Sequence, residues 1–314
     1  MDFTVTLISL ITLLALAVPG YILRKFNIVR KDMIKELSII LLYVSQPLLL
    51  ISSFQKVEYS TQIMVNMGYL ILLTLVCVII VSIIAVVLFH KNFKTDYYNR
   101  LLTFASICGN YGFFGIPVLQ ILFPGSSEVI IYSTACLLVL NLFSWTLGAY
   151  LVSSDKKYIN IKKVLFNPTM IAILIALPLY STQTKMPEQM LTILDYIGNI
   201  TTPLSMLVLG MRFSEVHFKD VFVNWKNYVA IAMKLLISPL IMYGFLQLNL
   251  PITDTASKCL LILMGMPPAI ICLTTVECFG REDIKDDLAR KASTIVIVGT
   301  ILSTLTIPLI TLLP

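Results

Sequence analysis

Apolar residues run along this chain in long blocks, and short intervening stretches hold nearly all of the charge. A helix that crosses a bilayer needs about 20 mostly apolar residues. Ten blocks fit that length, near residues 4–23, 36–54, 63–89, 101–122, 129–152, 167–181, 190–211, 228–248, 258–278 and 292–313. The expected fold is therefore all-α and integral to a membrane, with ten transmembrane helices. The loops left between the blocks are too short for a separate soluble domain. The first block follows Met1-Asp2 rather than a basic stretch and lacks a small-residue cleavage site, so it reads as a span and not as a signal peptide. The sixth is the shortest and contains Pro178.

Composition supports this pattern. Mean hydropathy is +0.90, with 58% hydrophobic and 13% charged residues, against about 45–50% apolar and about 25% charged in a soluble domain. That balance excludes an ordinary soluble enzyme, a disordered chain and a nucleic-acid binder. The net charge of +6 follows from topology. Loops after the odd-numbered blocks hold 19 of the 23 Lys and Arg residues, including Arg24, Lys25, Lys91, Arg100, Lys156, Lys163, Arg212 and Arg281. The other loops hold only Lys56, Lys185 and Lys258. Basic loops stay cytoplasmic, so both termini are expected outside a cell membrane, with the basic loops against anionic lipid. The six cysteines form no C-x-x-C pair, and His90 and His217 lie in charged loops. Neither a disulfide framework nor a metal or haem cofactor is expected.

Several blocks are interrupted. The second carries Ser45-Gln46-Pro47 and the seventh carries Thr201-Thr202-Pro203, with the two prolines 156 positions apart. The fourth carries Gly109-Asn110-Tyr111-Gly112, then Gly115 and Pro117; the ninth carries Gly265-Met266-Pro267-Pro268, and Pro117 and Pro267 are 150 apart. Two similar offsets suggest a five-plus-five repeat. Because five is odd, the second half must be inverted relative to the first, which is the plan of secondary transporters. Proline removes a backbone donor and glycine weakens a helix. A broken backbone is tolerated at mid-membrane only where protein buries it or it lines a wet cavity. Breaks in blocks four and nine would expose N–H groups and positive half-helix ends that suit an anion, and carbonyls that suit a cation. The bland alternative is that these glycines only permit close helix packing.

The run Gly109-Asn110-Tyr111-Gly112-Phe113-Phe114-Gly115-Ile116-Pro117 resembles the auxin efflux carrier family of membrane transporters. So do Asn167-Pro168, Thr202-Pro203-Leu204-Ser205-Met206 with Gly210, Met266-Pro267-Pro268-Ala269, Glu277-Cys278-Phe279-Gly280, and Ala292-Ser293-Thr294 with Pro308. The resemblance covers essentially the whole chain. It implies two inverted five-helix repeats whose fourth and ninth helices are broken and cross at mid-membrane. It also implies a dimerising scaffold, residues 1–54 and 167–211, and a mobile transport unit, residues 63–152 and 228–313. The long cytoplasmic loop of plant members is absent here. Bacterial members are associated with carboxylates such as malate or malonate and with auxin-like acids, and the resemblance does not choose among them.

The candidate substrate-binding residues follow from the breaks. Gly109, Tyr111, Pro117, Pro267, Pro268 and Ala269 frame them. Asn110 adjoins the first break, and its amide can bind a ligand or cap freed backbone; the family has an asparagine at the substrate site here. Asn141, in an apolar stretch, needs a partner for its amide: either it shares the cavity, or it makes an interhelical bond of structural use. Lys234 costs roughly 3 kcal/mol near a span centre. It can snorkel to the surface, offer fixed positive charge to an anion, or replace a coupling cation. Gln46, Thr201 and Thr202 face the cavity from the scaffold side or bond their own helices. Asp195 is a candidate proton site, a partner for a basic group, or a helix cap. Glu277 closes the ninth block at the cytoplasmic side. The expected function is secondary transport of a small organic anion by alternating access, elevator-like, coupled to H⁺, to Na⁺ or to neither. A channel or sensor of the same fold is the alternative. A membrane-embedded enzyme would need a catalytic cluster that the sequence lacks.

Overall fold

In a computed structural model, residues 2–91, 93, 95–155, 166–216, 224–281 and 283–313 are described. Of the basic loop residues counted above for orientation, Lys94, Lys156, Lys157, Lys162, Lys163 and Lys219 lie outside the described residues, as does His217. Among those described, the regular elements are helical, and the β feature present is an isolated antiparallel bridge between Gly109 and Pro268. Seven helices are long and apolar enough to cross a membrane. In chain order the elements are α1 Phe3–Lys25, α2 Asp32–Lys56, α3 Thr61–Phe89, α4 Tyr97–Ile107, α5 Tyr111–Leu122, α6 Glu128–Ser153, α7 Pro168–Ser181, α8 Glu188–Phe213, α9 Trp225–Leu246, α10 Asp254–Met264, α11 Ile271–Phe279 and α12 Lys285–Ile310. The expected fourth and ninth blocks each arrive as two short helices, α4 with α5 and α10 with α11.

Local chemistry sets the ends. The Asp2 carboxylate accepts the N–H groups of Thr4 and Val5 at the start of α1. Asp96 does the same for Tyr98 and Asn99 at α4, and Asn167 for Thr169 at α7, with Pro168 in the first turn. Proline also reshapes helix interiors. Helical turns widen to π geometry at Leu41–Ser45 in α2, Tyr111–Gly115 in α5 and Met233–Ile237 in α9, each two residues before a proline. In each, the residue just before the proline (Gln46, Ile116 or Ser238) donates its N–H to a carbonyl five residues back. The wide turn removes the clash between the proline ring and the carbonyl four residues earlier.

α1 lies against α8 and also against α12, and α2 lies against α7 and α8. The α1–α8 crossing is backbone on backbone: a Cβ on Gly20 would strike the Leu207 carbonyl, and one on Gly210 the Ala17 carbonyl. Gln55 at the end of α2 ties down the chain after α7, donating to the Thr184 carbonyl at 3.2 Å and accepting the Met186 N–H at 2.9 Å. Elsewhere a buried amide joins three helices. Asn66 of α3 donates to the Tyr132 hydroxyl of α6 at 2.8 Å and to Thr253 Oγ1, before α10, at 2.9 Å. Apolar side chains point outward along the long helices, among them Val5, Ile8, Leu72, Ile83, Leu305 and Leu309. That is the surface lipid requires.

Candidate functional site: the crossing of two broken helices

The two interruptions meet. Between α4 and α5 the chain passes through Cys108, Gly109 and Asn110; between α10 and α11 it passes through residues 265–270. The Asn110 N–H donates to the Pro267 carbonyl at 2.8 Å, and the Ala269 N–H donates to the Cys108 carbonyl at 2.8 Å. Each break thus satisfies the other's backbone, as a buried non-helical segment must. Pro267 and Pro268 have no N–H to leave unpaired. Gly299 of α12 admits the Pro268 ring, which would lie 2.6 Å from a Cβ at that position. The ends of four half helices therefore converge. At α5 the N–H groups of Phe114 and Gly115 both turn back to the Asn110 carbonyl, and the first-turn N–H groups of Gly112 and Phe113 have no acceptor within the helix. The positive ends of α5 and α11 both point into the crossing.

Three side chains complete it. Asn110 is 5% exposed. It opens α5 without a side-chain capping bond, and its Nδ2 group has no protein partner. Leaving a buried amide donor unpaired costs about 1–3 kcal/mol. Lys234 is fully buried. Its ammonium does not reach outward; it donates to the Met264 carbonyl, the last of α10, at 2.8 Å, with the Tyr111 hydroxyl at 3.4 Å and Ser238 Oγ at 3.5 Å. Tyr111, also fully buried, places its ring centroid 5.2 Å from Lys234 Nζ. Gly109 gives that lysine its passage: a Cβ there would lie 2.6 Å from Lys234 Cε.

Other candidates fall into place around this centre. Gln46 of α2 is buried and faces Gly112, where a Cβ would lie 2.8 Å from its Nε2. Thr201 is fully buried with its hydroxyl unpaired. Thr202 donates to Gln120 of α5 at 2.7 Å, so neither threonine bonds its own helix. Pro117 and Ala269 are buried in the two arms of the crossing. Asn141 is half-buried on α6. One turn further on, Ser144 meets Cys108 Sγ at 3.4 Å, which places Asn141 beside the crossing without a bond to Asn110. Two candidates lie elsewhere. Asp195 pairs with Lys56 at 2.6 Å, both partly exposed, where α8 meets the end of α2. Glu277 lies at the end of α11, 3.6 Å from Arg212. The sequence reading missed Ser238 and the Met264 carbonyl, which carry no signal of their own, and Arg212. Arg212 counted there only as a loop charge, but it is buried and paired with Glu215 and Glu277.

A recess of about 300 Å³ lies away from the crossing, between Tyr97, Tyr98, Arg281, Asp283 and Asp287. There a hydrogen bond from Arg281 holds the Tyr97 phenol below its usual range. Both signs of charge line this recess, so its lining does not favour an anion.

Comparison with known proteins places the chain among membrane transport proteins. A family model described as membrane transport protein matches residues 5–311. An uncharacterized transporter of Methanocaldococcus jannaschii is 26% identical over 265 residues, covering 83% of this chain and 85% of its own. An uncharacterized transporter of Methanothermobacter thermautotrophicus is 26% identical over 316 residues, covering 96% of each.

Proposed function

The chain belongs to the membrane transport protein family of auxin efflux carriers, a multi-pass membrane transporter family, and from that premise we propose that it carries a small organic anion by alternating access. The substrate is a carboxylate of the malate, malonate or auxin-like kind. In this reading its carboxylate rests at the crossing, met by the first-turn N–H groups of α5, the Asn110 amide and the Lys234 ammonium. The observation that carries this reading is the unpartnered, buried Asn110 Nδ2 group at the mouth of a broken helix. A buried donor without an acceptor in the protein calls for a partner, ordered water or ligand, and its place at a broken-helix end favours a ligand. Gly109, Asn110, Tyr111, Lys234, Pro267 and Pro268 are all buried. A solute reaches them only when helices move, which favours a carrier over a channel.

We assign α1, α2, α7 and α8 to a scaffold through which two copies dimerise, and α3–α6 with α9–α12 to an elevator-like transport unit. The chain crosses a cell membrane ten times as two inverted repeats, with the basic loops cytoplasmic and both termini outside. Asp195, paired with Lys56 at a partly exposed site, is placed to brace the scaffold rather than to carry a coupling proton. The test is a thermal-shift panel of mono- and dicarboxylates on purified protein, repeated with Asn110→Ala. An acid that stabilises the wild type and leaves the variant unmoved supports the reading. A folded wild type that responds to no acid in a broad panel contradicts it.

A further inference from the structure

Among the described residues, three basic side chains are buried: Arg100, Arg212 and Lys234. Arg100 donates to the Phe93 carbonyl and to Ser154, and Arg212 pairs with Glu215 at 3.3 Å and Glu277 at 3.6 Å. Lys234 differs. Its partners are a carbonyl, a phenol and a hydroxyl, all neutral, and among the described residues no aspartate or glutamate is buried. A buried charge without a counter-charge is strongly unfavourable. The groups shown around this ammonium carry no carboxylate: the Met264 carbonyl, Tyr111 and Ser238 touch it, and the thiols of Cys77, Cys108 and Cys136 lie nearby.

We propose that Lys234 is the resident cation of the transport site, so that the transported species is a monoanion and its binding needs no sodium. The proposal rests on the anion-carrier reading above and adds the substrate's charge and the coupling. The Met264 carbonyl ends a half helix at mid-span and is the group a bound cation would use. Here the ammonium occupies it at 2.8 Å, and a second cation beside it would meet like-charge repulsion. One carboxylate neutralises the lysine. A second carboxylate would enter the same apolar surroundings, among Phe114, Leu263 and Met266, with no basic side chain left to meet it. Gly109 is part of this device, since any side chain there would displace the lysine stem.

The experiment is equilibrium binding to the purified full-length protein by calorimetry. The probes are lactate, benzoate and indole-3-acetate as monoanions and malonate and malate as dianions, at neutral pH, in sodium chloride and in choline chloride. The expected result is a monoanion that binds roughly tenfold or more tighter than either dianion, with the same affinity in both salts. Lys234→Met should weaken that monoanion on the order of tenfold to a hundredfold, the value of a hydrogen bond to a charged group, and Lys234→Arg should retain it better than Met. Tighter dianion binding, a requirement for sodium, or a folded Lys234→Met protein that binds as tightly as wild type overturns the inference and leaves the carrier reading standing. Failure of every acid to bind the wild type overturns both. Should Lys234→Met not fold, the charge and salt comparisons on wild type decide alone.

Discussion

At the scale of single residues, the site is a set of hydrogen donors held where lipid would otherwise surround them. Asn110 does not spend its amide on the helix it begins, and Thr201 keeps a buried hydroxyl unpaired. Replacing Asn110 by Ala removes a donor to a charged ligand, so affinity for the transported acid should fall about 10- to 100-fold. Asn110→Asp should be worse than Ala, because it sets a negative charge against the substrate, and the same calorimetric titration orders the two. In the sequence, Asn110 beside a glycine-rich break could bind a ligand or cap freed backbone; in the fold it makes no capping bond. Lys234 was legible only as an anomaly. Its spacing left snorkelling open, and only the position of the Met264 carbonyl, supplied by a helix 30 residues on, decides where the ammonium goes. Arg212 was misplaced for the converse reason. Charge counting treats residues near a span end as solvated, whereas this guanidinium is enclosed between α8 and α11 and paired there.

At the scale of elements, proline and glycine account for most of what could be foreseen. The glycine- and proline-rich stretches appear in the fold as breaks at residues 108–110 and 265–270, while α5 continues through Gly112, Gly115 and Pro117 by way of a π turn. The resemblance implied that the breaks cross, but the register of their pairing was not readable, since it depends on tertiary packing between segments about 150 positions apart. Nor were the π turns that precede Pro47, Pro117 and Pro239; a proline announces a local problem but not which of several backbone solutions relieves it. Helix packing carries its own test. Gly20 and Gly210 sit where backbones touch, whereas a Cβ on Gly68 in α3 would meet nothing within 4 Å. Gly210→Ala should therefore destabilise the protein by about 1–3 kcal/mol, as overpacking does, and lower its unfolding midpoint in detergent. Gly68→Ala should leave the midpoint unchanged or slightly higher. Equal effects of the two substitutions would mean that the α1–α8 contact is not close.

At the scale of the molecule, the blocks of hydropathy were enough to expect an all-helical membrane protein, and their punctuation was enough to place the two breaks. They do not say which helices would move together. In the proposed elevator, buried bonds such as Asn66 to Tyr132 and Thr253 hold the transport unit together, and Gln55 to Thr184 and Met186 the scaffold. Between the two, Thr202 bonds Gln120 and Arg212 pairs with Glu277. Cysteines at 120 and 202, with the exposed Cys278 replaced by Ser and a reducible bifunctional thiol reagent across them, should arrest transport until a reductant restores it. Undiminished transport by the bridged protein would mean that α5 and α8 do not move past each other. The most direct measurement concerns the crossing itself: counterflow of a radiolabelled monocarboxylate in proteoliposomes, with wild type and Asn110→Ala side by side. Saturable counterflow that the substitution abolishes is the predicted result. A folded wild type that moves no acid, or an Asn110→Ala protein that moves it just as fast, would contradict the placement of an anion at the meeting point of the two broken helices.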